Sequence, residues 1–150
     1  MQLRALSRGV ASFVALILAA ATAASASGTA RVQQHDGTVD DYNNVTIRLV
    51  RDSVSVTNAS KHDTLTFVHA ACSFAGQLQR CLPYKIRLDR DGKDYDLAFK
   101  HGTVYMNLTS GMQQLPYSSK QLPPNGVLLS VQTARGTYIT VKGTLDEVTR

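Results

Sequence analysis

Two cysteines, four histidines and eleven carboxylates bound the chemistry open to this 150-residue chain. Cys72 and Cys81 stand in a C-x8-C arrangement. A redox pair is ordinarily C-x-x-C, which does not occur here. A zinc centre would need further ligands at suitable spacing, and His69 is the nearby candidate. An even pair of cysteines in an exported chain defaults to a disulfide, so Cys72–Cys81 is expected to be one. Closing a loop of ten residues would stabilise the fold by about 2.5–3 kcal/mol in the chain-entropy picture. Between the cysteines, Phe74 and Leu78 sit at i, i+4 spacing. Either a short helical turn or a stapled surface loop is expected there. No metal site and no cofactor are expected.

The other reactive groups do not assemble into a catalytic motif. Asp89, Asp91 and Asp94 resemble the opening of a calcium loop, but position 6 holds Asp94 and position 12 holds Lys100. Such a loop requires glycine at the first of these and a bidentate glutamate at the second. Asp91-Gly92 between two alternating runs reads instead as a hairpin turn. His35 and His62 precede aspartates in polar stretches, His101 precedes Gly102, and His69 ends a strand-like face. No His-Glu-x-x-His spacing is present. There is no Gly-x-Ser-x-Gly elbow and no Ser-x-x-Lys, and Ser118-Ser119-Lys120 lies in a proline-flanked loop. The single glutamate, Glu147, is three residues from the C-terminus, a poor place for a buried acid. No enzyme is expected.

What remains is recognition by surface. Tyr105 and Tyr138 fall on the outward phase of their strands, near Asn107, Thr140 and Lys142. Tyrosine can stack on a sugar ring or anchor a protein contact while its hydroxyl stays wet. Tyr105, Tyr138, Arg48 and Lys142, with the 110–126 connection, are the first expected binding positions. The leading expectation is a non-enzymatic binder of a protein or a cell-envelope glycan. A second is an inhibitor of a secreted hydrolase, inserting the 72–81 loop with Arg80 or the Phe74/Leu78 pair as anchors. A third is a subunit of an envelope assembly joined through an exposed strand edge. Asn44, Asn58 and Asn107 head glycosylation sequons that matter only in a eukaryotic secretory path.

The elements that must position these residues follow from hydropathy. Residues 1–26 carry Arg4 and Arg8, an uncharged apolar or small run from Val10 to Ala24, and then Ala24-Ser25-Ala26. This is the layout of a secretory signal peptide, with a bacterial look. The run is shorter than the roughly 20 residues a bilayer span needs. The expected destination is the periplasm or the exterior, without stable membrane insertion. Beyond residue 26 the chain has fourteen basic and eleven acidic residues. That balance is too mild to favour nucleic acid. Residues 27–41 are polar and read as a flexible leader. From 42 to 150 the pattern is alternation. Val45/Ile47/Leu49, Val54/Val56, Leu65/Phe67, Tyr84/Ile86/Leu88, Tyr95/Leu97/Phe99, Val104/Met106/Leu108, Val127/Leu129/Val131 and Ile139/Val141 mark about eight strands. Asn58–Lys61, Asp89–Lys93, His101-Gly102, Pro123–Gly126 and Ala134–Gly136 supply turns. The expectation is one all-β domain, a small antiparallel β-sandwich or closed β-barrel of about eight strands. The stretch 110–126 is its longest connection, placed over a sheet edge or a barrel end.

Overall fold

Alternating side chains that segregate wet from dry favour strands, and the computed structural model, which describes residues 28–69 and 72–149, contains thirteen of them. In chain order they are β1 (Gly28–Gln33), β2 (Val39–Val50), β3 (Ser53–Asn58), β4 (Asp63–Val68), β5 (Cys72–Ala75), β6 (Leu78–Cys81), β7 (Lys85–Arg90), β8 (Lys93–Asp96), β9 (Phe99–Met106), β10 (Gln113–Gln114), β11 (Gln121–Leu122), β12 (Gly126–Thr133) and β13 (Tyr138–Thr149). A 3-10 turn at Ala59–Lys61 is the helical content among the described residues. The signal peptide expected over residues 1–26 lies outside those residues. The all-β antiparallel class expected from the alternation is what forms.

The architecture is neither a closed barrel nor an eight-stranded sandwich. Eleven strands hydrogen-bond in one sheet, in the order β5-β6-β9-β12-β13-β1-β2-β3-β4-β7-β8, and β10 pairs with β11 in a separate ribbon. The sheet doubles over at β2 and β13, both twelve residues long. Their first halves flank β1. Beyond the end of β1 their second halves meet directly and in parallel, from Leu145 opposite Ile47 to Thr149 opposite Val50. One limb, β5-β6-β9-β12-β13-β1, thereby faces the other, β3-β4-β7-β8. Val104, Met106, Val127 and Leu129 from the first limb share one buried cluster with Val54, Phe67 and Ile86 from the second. Burying this inner face supplies the main driving force for the fold.

The polar leader gives way to a strand. β1 lies between β13 and β2, with Ala30 and Val32 packed against the core. Its apolar signal is only two small side chains, which the flanking Gln33, Gln34 and Asp36 obscure. Gly28 is required by contact. A Cβ there would stand 2.5 Å from the Lys142 carbonyl oxygen and 2.9 Å from Ile47 Cδ1. β2 also begins earlier than its alternation suggests. Gly28 pairs with Val45 but Ala30 with Tyr42, a bulge that inserts one residue into β2 and resets its phase.

The 72–81 segment is a hairpin and contains no helical turn. Cys72 faces Cys81 across β5 and β6, and Gly76 takes the turn at φ 66°. The disulfide is present, with Cα atoms 4.3 Å apart. The Asp91-Gly92 turn between β7 and β8 has φ of 53° and 81°, the two positive values that a tight hairpin turn requires. The 110–126 connection covers the outer face of the first limb rather than an edge or an end. Leu115 and Leu122 join Leu78 in a second small core, with Tyr105 and Leu128 packed against it.

Candidate functional site

Burial fades toward one end of the folded sheet. Val54, Phe67 and Ile86 are fully enclosed, while one pairing step outward Leu65 and Leu88 are only half-buried. The limbs part there around a cleft of about 580 Å³. Its walls are apolar: Ala30 and Val32 from β1, Tyr42 from β2, Leu65 from β4, Leu88 from β7 and Ile139 from β13. Leu97 and Ala98, between β8 and β9, complete the mouth. Small side chains at 30 and 98 leave the space open, and no tryptophan exists to fill it.

Charge is confined to the rim. Arg90 donates from Nε and Nη2 to the two carboxylate oxygens of Asp63, at 2.9 and 3.0 Å. The two residues are direct partners across β4 and β7. This hydrogen bond, with the attraction behind it, pushes the Arg90 pKa up and keeps the guanidinium charged. Asp40, Asp96 and Arg135 also border the opening. The turns around the mouth are tied together. The Thr137 hydroxyl donates to Gln34 Oε1 at 3.1 Å, the Ala134 amide to the Ala98 carbonyl at 2.9 Å, and the Asp91 amide to the His62 carbonyl at 3.2 Å. The result is a pre-formed apolar slot with a polar lip, of the size that takes small molecules. Sequence reasoning passed over these residues. The signal was there in Leu65, Leu88 and Leu97, which hold the inward phase at strand ends where turns leave no opposing side chain.

The positions expected from sequence do not converge on one surface. Tyr105, Arg80, Lys142 and Tyr138 lie on the outer face of the first limb, by their pairing registers. Tyr105 is half-buried under the 110–126 segment, its ring 5.8 Å from that of Tyr117. Tyr138 is 52% exposed and sits beside Gln132 and Gln33, four residues along β13 from Lys142. Arg48 is on the outer face of the other limb, in a row with Ser55, Thr66 and Arg87. Phe74 is 70% exposed on the face of the β5–β6 hairpin opposite Arg80. Leu78, its expected partner as an anchor, is buried in the second core. Asn107 is fully buried.

A second cluster surrounds the disulfide. His69 is 4% exposed, and its Nδ1 stands 3.5 Å from Cys72 Sγ. The other ring nitrogen, Nε2, is buried with no hydrogen-bond partner among the described residues. Burial, the dominant influence, lowers the His69 pKa, while Asp52 and a backbone hydrogen bond oppose the shift. His69, Cys72 and Cys81 each bring a donor atom within 4.8 Å of the others. These are the three residues that the sequence offered for zinc and set aside for want of a further ligand, and the hairpin brings all three together.

No family model, no curated protein and no solved structure matches the chain.

Proposed function

We propose that this chain is an exported, non-enzymatic binding domain that takes a small amphiphilic molecule into the cleft between the two limbs. The observation that carries the reading is the apolar slot at the open end of the sheet, walled by Ala30, Val32, Leu65, Leu88 and Ile139 and lipped by Arg90, Asp63 and Arg135. An apolar body would displace water from the walls and gain about 25 cal/mol per Å² buried. A polar end would stay at the rim, where charged side chains can hydrogen-bond it.

The test is a titration of residues 27–150 with an anilinonaphthalene sulfonate dye, followed by displacement with a long-chain fatty acid. Ala98→Trp, in the segment between β8 and β9, fills the mouth and is expected to weaken dye binding at least tenfold. Tyr138→Ala is expected to leave it unchanged. Dye binding that persists at full strength in Ala98→Trp removes the cleft from consideration.

A second reading has one observation in its favour. Thr103, Ser130 and Thr140 align across β9, β12 and β13 on the outer face, one step from Gln132 and Tyr138. A row of hydroxyls beside an exposed ring suits an envelope glycan. Retention on a glycan array that is lost in Tyr138→Ala but kept in Ala98→Trp would select it.

A further inference from the structure

We propose that reduction of the Cys72–Cys81 disulfide turns the His69 cluster into a binding site for a thiophilic d10 cation, Zn(II) in the first place. Three donors of the right type are already gathered, within 4.8 Å of one another. In a tetrahedral zinc site, with Zn–S of about 2.3 Å and Zn–N of about 2.0–2.1 Å, the nitrogen–sulfur edge is about 3.6 Å. The His69 Nδ1 to Cys72 Sγ distance is 3.5 Å. The matching sulfur–sulfur edge is about 3.8 Å, so the two sulfurs must separate once their bond is gone. The fold allows this on one side. Cys81 is held at 0% exposure in the main core, whereas Cys72 is on β5, the edge strand of the sheet. The fourth position would open toward the hollow that His69 and Cys72 line with Arg51, Phe74, Gln77 and Met106.

The second observation is the orphaned imidazole nitrogen. A buried polar atom without a partner is destabilising, and His69 Nε2 is such an atom among the described residues. A leucine would fill that place without the penalty. An imidazole there supplies what a leucine could not, a nitrogen donor, Nδ1, placed beside Cys72 Sγ.

The redox step balances with an external dithiol as the reductant. Its two thiols give up two electrons and two protons and close to a disulfide. The Sγ–Sγ bond between Cys72 and Cys81 breaks, and each sulfur takes up one electron and one proton. The cation then displaces both thiol protons to solvent and accepts the Nδ1 lone pair. The oxidised chain, whose sulfurs are bonded to each other, has no thiolate to offer.

The experiment uses residues 27–150, oxidised or reduced by dithiothreitol and desalted anaerobically, titrated with Zn(II), Cu(I) and Co(II) as a spectroscopic stand-in. The reduced chain is expected to bind one ion and show a thiolate-to-Co(II) charge-transfer band, while the oxidised chain binds none. His69→Ala should lose at least tenfold in affinity and shift the visible Co(II) bands, and Cys81→Ser should abolish binding. Nitrogen NMR of the reduced wild-type chain should show the His69 Nδ1 signal move on adding Zn(II), a readout that does not depend on any variant folding. Failure of the reduced chain to bind Zn(II) or Cu(I) would overturn the proposal. So would an unmoved His69 ring, or a reduced chain whose strand circular dichroism is lost and does not return with Zn(II).

Discussion

His69 shows how one residue can be set against its surroundings. It ends β4, where its amide donates to the Asp52 carbonyl at 2.8 Å, and its ring is turned into the protein beside the disulfide. Burial disfavours the imidazolium, so the folded-state pKa is lowered from the ordinary 6.5. The unfolded chain then takes up a proton that the folded chain refuses. Stability from this residue is complete above the unfolded value and falls as pH drops through it toward the lowered folded one. Asp36 and Asp41 have lowered pKa values too, through the Thr38 amide and Arg31. Carboxylates of that kind act mainly below about pH 4. The urea midpoint of the disulfide-bonded chain should therefore decline between about pH 7.5 and pH 5, and His69→Gln should flatten that decline. An equal slope in the variant would assign the pH dependence to other groups. The sequence placed His69 at the end of an inward-facing run near a cysteine. The expected Cys72–Cys81 bond brings Cys81 to the same point, but the pattern could not show that the ring turns inward against the sulfurs.

At the level of elements, the 110–126 segment is the clearest case of structure that periodicity hides. Its three prolines and its polar residues read as a long loop, and its two buried leucines, seven apart, have Pro116 and a polar run between them that breaks both strand and helix patterns. A single amide locks it down. Asn107 Nδ2 donates to the carbonyls of Gly111, Leu122 and Pro123 at 2.8, 3.0 and 3.0 Å, and Oδ1 accepts from the Thr109 amide and hydroxyl at 3.0 and 2.6 Å. Both arms of the segment are thereby tied to the end of β9, and Leu115 and Leu122 are pressed onto Leu78 and Tyr105. Asn107→Asp keeps the shape and removes the donors, so carboxylate oxygen would meet carbonyl oxygen. The expected loss is about 3 kcal/mol in urea unfolding, accompanied by faster tryptic cleavage at the exposed Lys120. Wild-type cleavage kinetics in this variant would mean that the leucines alone hold the segment. Asn107, expected on the outward phase beside Tyr105, is instead fully buried. The β1 strand was obscure for a related reason: in a central strand crowded by Ile47 and Lys142, glycine and alanine fit where larger apolar side chains would have advertised a core position.

For the whole molecule, the alternating runs revealed the main core on the inner face of the sheet, whose aliphatic rows from Val45 to Val141 lie on that phase, but not the second core of Leu78, Leu115 and Leu122 on the outer face. Closure could not be read, since it depends on which strands are long enough to pair twice. β2 and β13 do so by flanking β1 as far as Gly28 and then pairing with each other from Leu145 and Ile47 onward. The cleft inherits this geometry. Ala30 and Val32 form one of its walls, and the limbs are held apart at that end by the strand between β13 and β2. Residues 28–33 are thus a structural requirement for both halves of the proposed function, the fold and the slot. A chain beginning at residue 42 would lose the first three residues of β2, leave the rest of its first half unpaired and strip β13 of its partner on the side away from β12, exposing backbone donors and acceptors in the middle of the sheet. Each buried and unsatisfied group of this kind costs about 1–3 kcal/mol, and a domain of this size has only about 5–15 kcal/mol in total. The truncated chain is expected to lack a cooperative urea transition and to bind no dye, while residues 27–150 show both. If the truncated chain unfolded cooperatively at a similar urea midpoint, β1 would be dispensable and the first halves of β2 and β13 would have to pair in some other way.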